Sequence, residues 1–139
     1  MHGKNSGFTL IEILMVVVII GILGALIIPN VIGRDDDARV TAARNDIRAV
    51  GNALDMYKLD NFNYPSTDQG LEALVEKPAG FPEPKNYNPN GYVKKMPVDP
   101  WGQPFVYLND GGRFELYSLG RDGQEGGEGY DADIHYEEL

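Results

Sequence analysis

The sequence predicts an α+β fold in which a long N-terminal helix packs on a small antiparallel β-sheet. Three observations lead to this prediction: an unbroken apolar stretch near the N-terminus, a helical stripe of apolar residues after it, and two short strand-like segments in the C-terminal half. With 139 residues, the chain has room for one small domain and an appendage. We expect the first half of the helix to be hydrophobic and membrane-spanning, and the second half to be amphipathic.

The apolar stretch comes first. Every residue from Ile13 to Ile28 is apolar or glycine, and counted from Phe8 the segment reaches the roughly 20 residues that a helix needs to cross a bilayer. A cleaved secretory signal is the alternative, but its apolar core usually has about 7–15 residues and ends at a small-x-small site. This run ends instead in Ile-Ile-Pro-Asn at residues 27–30. The sequence therefore predicts a membrane helix over residues 8–30, and Lys4 favours a cytoplasmic N-terminus.

An amphipathic helix is predicted next, because apolar residues recur at alternating steps of three and four. They are Val40, Ala43, Ile47, Val50, Leu54 and Tyr57. The opposite face is polar, so we expect the stripe to dock on a soluble core. The helix should end near Asp60 and Asn61, because the next residues combine turn formers with Pro65.

The C-terminal half contains shorter elements. A short helix is predicted over residues 69–75, and the density of Pro, Gly and Asn over residues 77–100 excludes regular elements of any length. Residues 105–108 and 114–117 read as strands joined through Asn-Asp-Gly-Gly, whose Asp-Gly and Gly-Gly steps are strong hairpin signals. The resulting antiparallel sheet would pack one face on the helix stripe.

Composition excludes several functions. The net charge of −9 argues against nucleic acid as a partner, because phosphate neutralisation needs clustered Lys and Arg. Cysteine is absent, which rules out disulfides and thiolate metal sites. His2 and His135 lie at opposite ends of the sequence, so no nucleophile–base pair is visible. We expect a protein that is not an enzyme.

Glu12 is the sharpest anomaly, since an ionised side chain within an apolar helix costs roughly 2.5–3.5 kcal/mol on insertion scales. It either pairs with an opposite charge on another subunit or is tolerated at the interface, where the helix macrodipole favours a carboxylate. Residues Gly7-Phe8-Thr9-Leu10-Ile11-Glu12, followed by the apolar run, resemble the class III signal of type IV pilins and pseudopilins.

The resemblance implies roles for individual residues. A prepilin peptidase would cut after Gly7 and methylate the new amino terminus at Phe8. Glu12 would pair with that amine on a neighbouring subunit during assembly, where low-dielectric surroundings strengthen the attraction. Pro29 matches a proline of the family at which the helix can loosen locally in the filament.

Further segments resemble the major, G-type pseudopilins of type II secretion. They are Leu54–Asn61, Tyr64–Thr67, Gln69–Leu74, Val98–Gly102, Tyr117–Gly120 and Asp131–Ile134. A type IV or competence pilin remains an alternative, although a major type IV pilin would usually carry a C-terminal cysteine pair. An anchored periplasmic enzyme would need a reactive constellation that the sequence lacks.

This resemblance implies a single-pass protein of the bacterial inner membrane. Residues 1–7 would be a cleaved leader, residues 8–30 the transmembrane and filament-core helix, and residues 31–139 a periplasmic globular domain. The chain would assemble with copies of itself into a helical filament that drives exoprotein export. Its other partners would be minor pseudopilins, the inner-membrane assembly platform and the prepilin peptidase.

The C-terminal segment 118–133 is rich in acids and glycines. Ca²⁺ selects six to eight hard oxygen ligands of this kind, although the residue order is not that of an EF-hand, and a solvated acidic loop is the alternative. G-type pseudopilins bind calcium in this loop. The resemblance therefore implies a calcium site with side-chain ligands from Asp122, Asp131 and Asp133 and carbonyl ligands from Leu119 and Ser118.

Overall fold

The computed structural model describes residue 3 and residues 6–139, with the side chains of residues 26–33 left outside the description. The chain divides between Asp36 and Asp37 into two compact units. We call the part up to Asp36 the first unit and Asp37–Leu139 the second unit. The predicted boundaries of leader, membrane segment and periplasmic domain remain predictions.

Helix α1 extends over Leu10–Asn61. The predicted end near Asp60 and Asn61 is confirmed. Phe62 follows in the left-handed region with φ 70°, and its N–H donates a hydrogen bond of 2.7 Å to the Lys58 carbonyl. This is the left-handed cap that commonly closes a helix, here formed by a bulky residue rather than glycine.

In the first unit, α1 exposes its apolar side chains. Every Phe, Leu, Ile, Val and Met from Phe8 to Leu23 is exposed, and Phe8 has 85% of its surface accessible. Over the residues that the structure describes, no helix meets the length and apolarity required to cross a bilayer.

In the second unit, α1 buries the predicted stripe. Ala43, Ile47 and Leu54 are fully buried, and Val50 and Tyr57 nearly so, while Val40 packs at the edge of the core. The side chains that cover this stripe come from the sheet and from one short helix: Leu71, Ala73, Leu74, Phe105, Tyr107, Phe114, Leu116 and Ile134. The predicted amphipathic helix and its docking on a soluble core are confirmed.

The sheet has three antiparallel strands in the order β1-β2-β3. They are β1 (Val106–Asn109), β2 (Phe114–Ser118) and β3 (Ile134–His135). The predicted hairpin is confirmed with a one-residue shift of β1. Strand β3 was not predicted, because two residues are too few to show the alternation by which strands are recognised.

The remaining elements are single turns. The helix predicted over residues 69–75 is shorter, a 3-10 helix at Leu71–Leu74. Further 3-10 helices cover Gly129–Asp131 and Tyr136–Glu138. Residues 77–100 contain no helix and no strand beyond the isolated bridge of Val98 to Pro104, as the proline and glycine density predicts. The architecture is α+β, as predicted.

Candidate functional site

Glu12 lies in the first turn of α1 and forms reciprocal hydrogen bonds with Thr9. The Thr9 N–H donates to Glu12 Oε2 at 3.2 Å, and the Glu12 N–H donates to Thr9 Oγ1 at 3.3 Å. This arrangement is a capping box, which satisfies two backbone donors that have no partner within the helix. The Thr-x-x-Glu spacing in the sequence is the signal that could have revealed it.

The processing residues lie just ahead of this cap. Gly7 and Phe8 precede α1, and both are exposed. Peptidase cleavage after Gly7, methylation at Phe8 and pairing of Glu12 with a neighbouring amine remain predictions. Pro29 falls in the part of α1 whose side chains lie outside the description, and Lys4 is likewise outside the described residues.

Ser118 and the buried Asp99 hold the start of the C-terminal loop. Ser118 Oγ donates to Asp99 Oδ2 at 2.9 Å and accepts the Gly120 N–H at 3.2 Å. Asp99 Oδ1 accepts the backbone N–H groups of Trp101 and Gln103 at 3.1 and 2.8 Å. Three donors therefore satisfy this buried carboxylate, and they tie the end of β2 to the turn at Trp101. Sequence reasoning did not assign this role to Asp99.

Gly120 closes the loop on itself. Its φ is +74°, and a Cβ at this position would lie 2.7 Å from the carbonyl oxygens of both Asp131 and Ala132. The Arg121 N–H donates to the Tyr130 carbonyl at 3.0 Å. The two ends of the predicted calcium loop are therefore in direct backbone contact. Leu119, a predicted carbonyl ligand, is half-buried and directly precedes Gly120, so this part of the chain lies close to Asp131.

The three predicted carboxylate ligands have different surroundings. Asp122 is exposed, and its Oδ1 accepts the Gln124 N–H at 3.1 Å. Asp131 forms a two-point ion pair with Arg121, with 2.9 Å from Nε to Oδ1 and 3.3 Å from Nη2 to Oδ2. Asp133 Oδ2 accepts the Gly126 N–H at 3.0 Å, while its Oδ1 is buried with no hydrogen-bond partner.

The oxygen atoms of these residues are of the type that calcium binds, although the carboxylate side chains do not converge on one point. In the described part of the chain, no group of three or more His, Cys, Asp or Glu side chains is arranged to hold a metal ion. The buried Asp133 Oδ1 is nevertheless a hard oxygen that lacks a partner, and such an atom is costly unless a cation or donor meets it. At Asp131 the compensating positive charge is that of Arg121. A cation at Asp131 would compete with Arg121.

Two family models cover almost the whole chain. The model described as "Type II secretion system (T2SS), protein G" matches residues 30–137. The model described as "Prokaryotic N-terminal methylation motif" matches residues 2–28. The second match includes the Gly7 to Glu12 segment that resembles the class III signal.

Relatives and a solved structure agree with these models. The chain is 65% identical over 133 residues to the type II secretion system core protein G of Pseudomonas aeruginosa, covering 94% of each chain. It is 56% identical to that of Vibrio cholerae, covering 94% of this chain and 90% of the relative. The crystal structure of the major pseudopilin from the type 2 secretion system of enterohaemorrhagic Escherichia coli matches with a TM-score of 0.69 and 43% identity, over 80% of this chain and 96% of that chain. The chain therefore belongs to the type II secretion system protein G family, the major pseudopilins.

Proposed function

We propose that this chain is the structural subunit that polymerises into a type II secretion pseudopilus and so drives exoproteins across the outer membrane. The proposal rests on the exposure of the apolar residues in the first unit, since the large apolar side chains from Phe8 to Leu23 are all exposed. A helix that is apolar all round needs lipid or other helices as its surroundings. The family consists of structural subunits rather than enzymes.

Before assembly, lipid supplies those surroundings. The precursor is a single-pass protein of the inner membrane with Lys4 on the cytoplasmic side, residues 8–30 in the bilayer and residues 31–139 in the periplasm. The prepilin peptidase cuts after Gly7 and methylates Phe8. The apolar length of the segment and its N-terminal methylation motif support this location.

In the filament, equivalent helices supply the surroundings. Glu12, held at the start of α1 by its capping box, pairs with the Phe8 amine of a neighbouring copy and fixes the register between copies. Pro29 loosens the helix where the filament core requires it. A contact that repeats head-to-tail without closing generates an open helix, which suits a piston. Minor pseudopilins and the inner-membrane assembly platform complete the apparatus.

The test is replacement of the gene in its host by a Gly7→Val variant, with Gly3→Val as a matched leader control. We expect Gly7→Val to leave the chain uncut, to abolish filaments and to trap exoproteins in the periplasm, whereas Gly3→Val behaves like the parent. Normal exoprotein secretion by a strain lacking the gene, with loss of adhesion or motility instead, would favour the type IV pilin alternative.

A structural calcium ion is the second part of the proposal. Asp122, Asp131 and Asp133 would supply carboxylate oxygens, and Leu119 and Ser118 would supply carbonyl oxygens. Calcium bound there would cross-link the glycine-rich loop and stabilise the folded state by mass action. The partnerless Asp133 Oδ1 and the loop closure at Gly120 support a cation at this place.

Thermal melting of the second unit with and without calcium tests this site. We expect calcium to raise the melting temperature of the parent, and expect Asp122→Ala and Asp131→Ala to abolish the rise. Arg121→Gln is the informative control, because it removes the competing cation at Asp131 and should increase the apparent calcium affinity. An unchanged melting temperature in calcium would reduce this segment to a solvated acidic loop.

A further inference from the structure

An exposed aromatic groove lies at the C-terminal end of α1. A cavity of about 510 Å³ lies between Lys58, Phe62, Tyr64, Phe81 and Asn109. Phe62 is 69% exposed and Phe81 is 89% exposed. Two large aromatic side chains with most of their surface in water on one rim are characteristic of a protein contact surface.

The backbone that carries each aromatic residue has a defined conformation. Gln69 is buried, and its side-chain amide donates to the carbonyls of Ala79, Gly80 and Pro82 at 3.3, 3.4 and 3.0 Å. These bonds anchor the loop that presents Phe81. Phe62 sits in the left-handed region at φ 70°, where a bulky residue costs free energy that glycine would not. An anchored loop loses less entropy on binding than a loose one, and backbone strain retained at an exposed residue points to function.

Two lysines lie at the rim of the groove, and one carboxylate there, that of Asp55, accepts the Tyr64 hydroxyl at 2.8 Å. Lys58 Nζ lies 4.7 Å from the Tyr64 ring centroid, and Lys85 Nζ lies 5.7 Å from that of Phe62. Within the described part of the chain, neither ammonium is paired with a carboxylate. A binding partner with acidic side chains would complement the charge of these two lysines.

The same chain carries an acidic surface at the other end of the second unit. After Arg121 the sequence has no Lys or Arg, and the loop between β2 and β3 carries the acids Asp122, Glu125, Glu128, Asp131 and Asp133. Tyr130 Oη donates to Asp37 Oδ1 at 2.9 Å, which fixes this loop beside the start of the second unit. From Asp37 to Lys58 the helix rises about 30 Å. The loop before β3, which we call the tail, thus lies far from the groove in one copy, whereas Glu137, after β3, lines a cavity together with Asn109 near the groove.

We propose that the groove receives the acidic tail of a second copy of this chain, with Glu128 of that copy facing Lys85. Arg44 and Arg48 line a cavity beside the tail and offset part of its charge, whereas Glu128 is exposed on the loop ahead of them. Because groove and tail are different surfaces at opposite ends, the contact is heterologous and repeats without closing. The inference rests on the proposed filament and names one contact between its globular units.

Cysteine cross-linking tests this contact cleanly, because the chain has no cysteine of its own. The full-length Phe81→Cys, Glu128→Cys double variant is produced in the host and oxidised, and its products are separated without reductant. We expect a ladder of dimers, trimers and longer species, since each copy offers both halves of the contact. The matched control is Phe81→Cys with Val98→Cys, which places the second thiol at an exposed position outside the tail.

Charge reversal gives an independent readout. We expect Lys85→Glu to reduce filament yield at least tenfold and expect the added change Glu128→Lys to restore it. Parent filaments without a cross-linked ladder and without this rescue would overturn the groove contact while leaving the proposed function intact. Abundant dimers from Phe81→Cys alone would show groove meeting groove and would also overturn it. A parent chain that forms no filaments would overturn both proposals.

Discussion

One helix, α1, has two parts that differ in how their apolar residues are covered. In the first unit, every large apolar residue from Phe8 to Leu23 is exposed, whereas in the second unit Ile47 and Leu54 are fully buried beneath the sheet. The second part obtains its stability from its own domain. The first part depends on other molecules, and the difference indicates that folding and assembly are separable properties of this chain.

The largest expected effect is on the buried part. Leu54→Ala removes a fully buried side chain and should lower stability by about 3 kcal/mol, or roughly 15 °C in melting temperature. The matched change Ile19→Ala, at a 53% exposed position of the first unit, should leave the melting transition of the second unit unchanged. Melting of the full chain in detergent measures both. Equal losses from the two variants would mean that the parts of α1 are not separable.

Gly120→Ala should be the next most damaging change. The added Cβ would meet two carbonyl oxygens at 2.7 Å in a backbone conformation with φ +74°, so we expect a loss of about 2 kcal/mol or more. Gly112→Ala serves as its control, because nothing lies within 4 Å of a Cβ there. Urea unfolding of both variants measures the difference, and a tolerated Gly120→Ala would show that the loop does not close as described.

Alkaline pH should unfold the second unit selectively, because all 8 tyrosines follow residue 56. Burial raises the pKa of Tyr57 to about 12, and burial together with the hydrogen bond to Asp55 raises the pKa of Tyr64 to about 12. The folded state holds these protons more tightly than the unfolded chain, whose tyrosines titrate near about 10. Their contribution is complete below pH 10 and is lost as the pH rises from about 10 through 12.

Urea unfolding between pH 8 and pH 12 would reveal this loss, and Tyr64→Phe should diminish it. Stability that stays constant through pH 11 would be inconsistent with buried phenols in the core.

The smallest effect concerns Phe62, one of several exposed large apolar residues of the second unit. Phe62→Gly relieves the left-handed strain and should be more stable than Phe62→Ala by about 1 kcal/mol. Both variants remove the exposed ring, so both should assemble poorly. Relative to the parent chain, Phe62→Gly should then raise the melting temperature and lower the filament yield. Such opposite changes identify a residue that serves contact rather than folding.

The sequence was sufficient for elements that repeat a pattern over many residues. The stripe from Val40 to Tyr57 and the Asp-Gly hairpin signal predicted α1 and the β1-β2 pair, because periodicity and turn chemistry are local properties. Strand β3 has only the residues Ile134 and His135, and its existence depends on pairing with Ser118 and Tyr117, which no local pattern encodes.

The candidate site was predictable only in part. Glu12 is visible in the sequence as an acid within an apolar run and the C-terminal loop by its acids and glycines, and the family resemblance gave their roles but not the partners of those groups. That Arg121 neutralises Asp131, and that Asp99 holds Ser118, follows from tertiary approach between segments that are distant along the chain. Thr9 was different, because the capping-box spacing could be read from the sequence alone.

The most direct test of the central claim is Glu12→Gln in the full-length chain, with filament yield and exoprotein secretion as readouts. Glutamine still accepts the Thr9 N–H and preserves the capping box, so only the charge is removed. Thr9→Val, which removes the cap oxygen and keeps the Glu12 charge, is the matched control. The account predicts that Glu12→Gln is inserted and cut normally but forms no filaments and secretes no exoproteins, while Thr9→Val retains both. Normal filaments and secretion in Glu12→Gln would contradict assembly through a charge pair.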